Sequence, residues 1–110
     1  MWRHDLDVPS GALDEEVEIR IKCAEQWGSI GDLDWIHPSG WELTPTGLTF
    51  NVSATLSVKA TGPFQGVPVM YVSETGFGGW ERLDSTFDEE TYHVEAQVEH
   101  LSVFILVAEH

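Results

Sequence analysis

The side chains that could ligate a metal, move a proton or attack a carbonyl are five histidines, one cysteine, several serines and nineteen aspartates and glutamates. His4, His37, His93, His100 and His110 are scattered along the chain. None stands at the i, i+2 or i, i+4 spacing that aims two imidazoles at one zinc ion, so no zinc site is expected. Asp32 and Asp34, and Asp84, Asp88, Glu89 and Glu90, offer carboxylates that calcium favours. They lack the spaced Asp-Asn-Gly loop that makes such a site specific, and they read as solvated acidic turns. Ser10 and Ser102 lie in no Gly-x-Ser-x-Gly elbow, and the Gly76-Phe77-Gly78-Gly79 run leads into no helix, so hydrolase and nucleotide-binding motifs are absent and no cofactor is expected. Trp27, Trp35 and Trp41 could form an aromatic row on which a sugar stacks, although packing in a core or loop is the ordinary use of such side chains. Asn51-Val52-Ser53 is a glycosylation sequon, relevant only to a chain secreted by a eukaryote.

Charge narrows the partners. Five lysines and arginines against nineteen carboxylates leave a formal charge of -14, a field that repels phosphate backbones and anionic lipid surfaces. Nucleic-acid and membrane partners are therefore not expected, whereas a basic protein, a divalent cation or plain solubility in a salty medium all suit an acidic surface. Cys23 is the only cysteine, so an intrachain disulfide and a thiolate zinc cluster are excluded; it reads as a small buried side chain. The Met1-Trp2-Arg3-His4-Asp5 start has no apolar core like that of a signal peptide, and no stretch is apolar enough to span a bilayer as a helix.

A chain of 110 residues suits one domain and is too short for two ordinary cores. Its pattern is that of strands. Val17, Ile19, Ile21 and Cys23 alternate with Glu18, Arg20 and Lys22, which is the period of a strand with one wet face. A short strand over His4 to Val8 precedes it, across a turn containing Pro9 and Gly11. Residues Ala24 to Glu42 have no helical period, and their closely spaced glycines and Pro38 read as a long connection. Further strands are expected over Trp41 to Leu43, Leu48 to Phe50, Ala54 to Ala60, Val67 to Ser73, Trp80 to Leu83 and Tyr92 to Val98. The last run, Leu101 to Ala108, is almost wholly apolar and β-branched, as in a central strand covered on both faces. Seven to nine short strands without a helical period argue for an all-β, antiparallel β-sandwich.

Three blocks carry a family resemblance. Val8-Pro9-Ser10-Gly11-Ala12-Leu13, an acidic turn and Val17-Glu18-Ile19-Arg20-Ile21 resemble the opening signature of the ZU-five domain. Leu43-Thr44-Pro45-Thr46-Gly47-Leu48-Thr49-Phe50 with Ala54-Thr55-Leu56 is similar to that family's middle block. Gly79-Trp80-Glu81-Arg82-Leu83 running on to Val98-Glu99-His100-Leu101-Ser102-Val103-Phe104 resembles its end. The blocks span most of the chain in the family's order, with two departures. The strands that usually precede the Gly-Ala-Leu turn are short or missing, and Leu101 stands where phenylalanine is commoner. The resemblance implies a β-sandwich over residues 1–110 serving as an accessory module of a larger protein, with a protein partner or neighbouring domains rather than a turnover reaction. The spectrin-binding surface of the ankyrin-type members is basic, which this acidic chain does not match.

The resemblance also implies one piece of chemistry. Some members cut themselves between the second and third residues of a His-Phe/Leu-Ser/Thr tripeptide, and His100-Leu101-Ser102 stands at the corresponding place. The Ser102 hydroxyl would attack the Leu101 carbonyl, His100 would accept the proton, and water would hydrolyse the resulting ester. Histidine suits the role because it exchanges a proton near neutral pH. General-base catalysis supplies about 10²–10⁴-fold, whereas the amide must also lose the resonance behind a rotation barrier of about 18–20 kcal/mol, so the fold is expected to strain the bond. The buried phase Val94, Ala96, Val98 is one residue out of step with Leu101, Val103, Ile105, Val107, which predicts a turn or bulge at Glu99-His100.

Three readings of function follow. The first is a non-catalytic interaction or structural module, the second a domain that cleaves itself once between Leu101 and Ser102, and the third a carbohydrate-binding module using Trp27, Trp35 and Trp41.

Overall fold

A computed structural model describes residues 4–14, 17–23, 35–36, 40–45, 47–60, 65–74, 76 and 78–109, with the side chains of His4 and Cys23 outside that description. Among the described residues nine strands follow one another: β1 (His4–Asp7), β2 (Arg20–Cys23), β3 (Trp41–Thr44), β4 (Thr49–Lys59), β5 (Val67–Ser73), β6 (Glu81–Arg82), β7 (Ser85–Asp88), β8 (His93–His100) and β9 (Val103–Glu109). All pairings are antiparallel. One sheet has the order β1-β4-β8-β7 and the other β2-β3-β9-β5-β6, so the expected β-sandwich is the fold. No helix among the described residues is long and apolar enough to cross a membrane.

Period-2 alternation builds the interior. Ala54, Leu56 and Val58 of β4 and Val94, Ala96 and Val98 of β8 face Trp41, Leu43, Met70, Val72, Phe104 and Leu106 of the other sheet in one continuous core. Residues 101–108 are buried without interruption, because β9 lies third of five strands, between β3 and β5. Burying a side chain the size of Phe104, which is 1% exposed, stabilises the fold by about 1.5–3 kcal/mol.

Several boundaries differ from those read off the sequence. The strand expected over Val17 to Cys23 pairs only from Arg20, because Arg20 already stands opposite Thr44 at the end of the four-residue β3. Leu48 to Phe50 and Ala54 to Ala60 are not two strands: β4 runs through both, with its register against β8 shifting between Thr49 and Ala54. Tyr92 does not face the core. It is 51% exposed with φ 60° in the turn before β8, its amide donating to the Asp88 carbonyl. β7 was not anticipated, since Ser85-Thr86-Phe87-Asp88 has one large apolar residue; as an edge strand it needs only Phe87 against the core. Most of the connection read over Ala24 to Glu42 lies outside the described residues. Its Trp35 and Ile36 sit beside β9, where the Ile36 amide donates to the Leu106 carbonyl.

Candidate functional site

The sandwich must pass its chain from one sheet to the other wherever consecutive strands belong to different layers. Between β8 and β9 it does so in two residues, Leu101 and Ser102. The expected slip of hydrophobic phase is not found: the core residues of β9 are Phe104, Leu106 and Ala108, in step with Val94, Ala96 and Val98, and Val103, Ile105 and Val107 look alike in the sequence because β9 is buried on both faces. The expected irregularity does fall beside Glu99: the β4–β8 register shifts between the pairs Ala54–Val98 and Thr49–His100, with the extra residues on β4. A short crossing through the interior leaves both residues buried, Leu101 at 0% and Ser102 at 2% exposure.

Burial obliges the polar groups of this crossing to find partners. The Leu101 amide donates to the Leu48 carbonyl at 2.8 Å, and the Leu101 carbonyl accepts from the Gly47 amide at 2.9 Å. The Ser102 carbonyl accepts from the Leu43 amide at 2.9 Å. The Ser102 hydroxyl lies 2.7 Å from His100 Nδ1. In the tautomer with its proton on Nε2, His100 accepts a hydrogen bond from that hydroxyl, the arrangement a general base needs before a serine attacks. A nucleophile, a base and a donor to the carbonyl thus meet at one peptide group. The turn after β3 supplies the donor: Gly47 has φ +87°, and a Cβ built there would meet nothing within 4 Å, so glycine is required by its backbone torsion and not by space.

His100 is half-buried and lines two adjoining clefts. One, of about 480 Å³, has Leu83, Val98 and Phe104 in its wall and Asp84 and Glu99 at its edge. The other, of about 370 Å³, is bounded by Ser73, Glu74, Gly78, Gly79 and Glu81. Ser73 holds this second wall in shape: its hydroxyl donates to the Gly78 carbonyl and accepts from the Gly76 amide at 3.1 Å. Together the clefts bring solvent to the imidazole while Ser102 and the Leu101 carbonyl stay inside.

Among the described residues other than glycine, Tyr92 is the one with positive φ, and the Leu101–Ser102 peptide is trans.

The remaining sequence candidates do not assemble. Trp41 is 1% exposed and belongs to the core, so it cannot serve in a sugar-stacking row. Trp35 is half-buried, and Trp27 lies outside the described residues. Among the described residues no group of histidine, cysteine and carboxylate side chains converges to hold a metal ion. Asp88 instead accepts from the Glu90 amide at 2.9 Å, closing a local turn. Asn51 is exposed, with its side-chain amide donating to Asp14 at 2.8 Å.

At the far end of β9 stands a polar cluster whose acidities are displaced. Arg82 Nε lies 3.0 and 2.9 Å from the two Glu109 oxygens, and the Tyr71 hydroxyl donates to Glu109 at 2.9 Å. The hydrogen bond from Arg82, then that from Tyr71, lowers the Glu109 pKa, while desolvation followed by the same glutamate raises that of Tyr71. The cluster ties β5, β6 and β9 together and is remote in sequence from His100.

The backbone groups of Leu43, Gly47 and Leu48 were not legible as site components. Thr44-Pro45-Thr46-Gly47 reads as a turn, but no local pattern says which carbonyl its amides will meet 54 residues later, as Gly47 meets Leu101. Comparison with protein-family models and with curated proteins returned no match to this chain.

Proposed function

We propose that this chain is a ZU-five-like domain that cuts its own backbone between Leu101 and Ser102. The observation that carries the reading is the 2.7 Å approach of His100 Nδ1 to the Ser102 hydroxyl at a buried crossing between sheets. The Ser102 Oγ attacks the Leu101 carbonyl carbon, and its proton passes to His100 Nδ1. The tetrahedral intermediate collapses with rupture of the Leu101–Ser102 C–N bond, and His100 returns the proton to the departing Ser102 nitrogen. An ester now joins Leu101 to Ser102 Oγ. Water hydrolyses it, leaving a Leu101 carboxylate and a Ser102 with free amine and hydroxyl.

The cut need not dismantle the fold. The fragment Ser102–His110 contains β9, which is paired with β3 on one side and β5 on the other. A native separation would hide the cut, so the test is an intact mass under denaturing conditions. The parent chain yields a fragment beginning at Ser102, and Ser102→Ala yields only full-length protein. Parent chains that stay whole after prolonged incubation at neutral pH refute the reading.

A second reading has an observation of its own. The backbone groups of Leu101 and the Ser102 carbonyl are all hydrogen-bonded inside the core, which suits a crossing that is only structural, and with it a non-catalytic interaction module. The same mass measurement separates the two.

A further inference from the structure

We propose that the Gly47 amide is the oxyanion donor of the cleavage reaction, and that the turn after β3 exists in its present form to present it. This rests on the self-cleavage reading and adds a group to it. As Ser102 Oγ adds to the Leu101 carbonyl, the π electrons move onto the carbonyl oxygen, and that charge must be met where water is excluded. The Gly47 N–H is already there, 2.9 Å from the oxygen. That distance is to the ground-state oxygen, and a donor already seated there is placed to follow the oxygen into the roughly 2.7–3.1 Å range of an oxyanion hole as the carbon becomes tetrahedral.

Three features set this contact apart from an ordinary ladder bond. Leu101 belongs to no strand, so the bond is not part of a repeating ladder. The adjacent Leu48 carbonyl fixes the Leu101 amide at 2.8 Å, so a two-residue stretch of the turn grips the reacting residue at both its polar groups. Leu43 holds the Ser102 carbonyl on the far side of the scissile bond. The peptide is therefore immobilised on both sides, with its oxygen against a donor and its nucleophile against a base. Leu101 is 0% exposed, and in such low-dielectric surroundings one aligned donor is worth far more than in water.

The glycine fits this role for a stated reason. At φ +87° an L side chain is strained although space is open, so residue 47 is chosen for the direction in which its N–H points. The class of group recognised is a developing alkoxide on a tetrahedral carbon, and the residue specified is the second of the tripeptide.

The test removes the N–H while keeping every side chain. The full chain is assembled by peptide ligation with the Gly47 amide replaced by an ester, which puts an oxygen where the N–H stood. A control carries the same replacement at Leu48, whose amide donates to Pro45 at 3.3 Å within the same turn and does not touch Leu101. Matching Ser102→Ala versions show by amide NMR spectra that each ester chain folds. Cleavage is followed by denaturing mass. Loss of one oxyanion donor slows cleavage by about 10²–10³-fold, so the Gly47 ester slows by that factor and the Leu48 ester by less than about tenfold. Equal slowing by the two esters, or none by either, overturns the assignment while leaving cleavage itself standing. A parent chain that never yields the Ser102 fragment overturns the cleavage reading and this assignment together.

Discussion

Replacing His100 with glutamine separates chemistry from packing. Glutamine keeps a polar group near Ser102 but cannot take a proton from it, so the variant loses the base and retains most of the contact. The structural cost is small. His100 is half-buried beside an open cleft, its backbone pairing with Thr49 does not depend on the side chain, and the one side-chain bond shown is that to Ser102. A hydrogen bond of this kind contributes about 0.5–1.5 kcal/mol, an upper figure for a variant whose own amide can still bond the hydroxyl. The catalytic cost is larger. General-base assistance is worth about 10²–10⁴-fold, or about 2.7–5.4 kcal/mol at 1.36 kcal/mol per decade. The two effects are read by different assays: urea unfolding for stability, and the time course of the Ser102 fragment by denaturing mass for chemistry. His100→Gln is expected to unfold near the parent midpoint and to cleave at least about 100 times more slowly. A folded variant that cleaves within about threefold of the parent, under 1 kcal/mol of barrier, would refute the assignment of His100 as base.

Two further outcomes concern the frame that holds the site. Phe104→Ala empties a position at 1% exposure between the sheets and should lower unfolding free energy by about 3–5 kcal/mol, measured by denaturant titration. Glu109→Gln should change how stability depends on pH. The folded carboxyl is held below its ordinary value of 4.5 by the Arg82 hydrogen bond first and the Tyr71 bond next. A depressed folded pKa means that stabilisation is fully present above 4.5 and is lost as pH falls through the folded value. The stability difference between parent and Glu109→Gln should therefore be largest near neutral pH and shrink on acidification, by chemical unfolding at a series of pH values. A difference that grows on acidification would contradict the cluster's role.

Alternation made the inner faces of β4 and β8 legible, because a strand buried on one face repeats every two residues. Ala54, Leu56 and Val58, and Val94, Ala96 and Val98, are the residues that face the core. Apolar continuity likewise marked β9 as central before its neighbours were known. β7 was missed because an edge strand with one packed aromatic has almost no period to detect. The length of β2 was misjudged because pairing ends where the partner ends, and partners are chosen by topology.

For the tripeptide, the order His100-Leu101-Ser102 was a sequence property, and with the resemblance it was enough to single out one peptide bond. The sequence could not show the crossing between sheets, since a strand apolar on both faces does not say which of its residues face the core. Nor could it place the Gly47 amide on the Leu101 carbonyl. Local side-chain chemistry is encoded where the residues stand, and so a base and a hydroxyl two positions apart can be read directly. A backbone amide carries no residue signature, and what it bonds is set only when distant strands pack; the donor at the scissile carbonyl was therefore decided by tertiary structure alone.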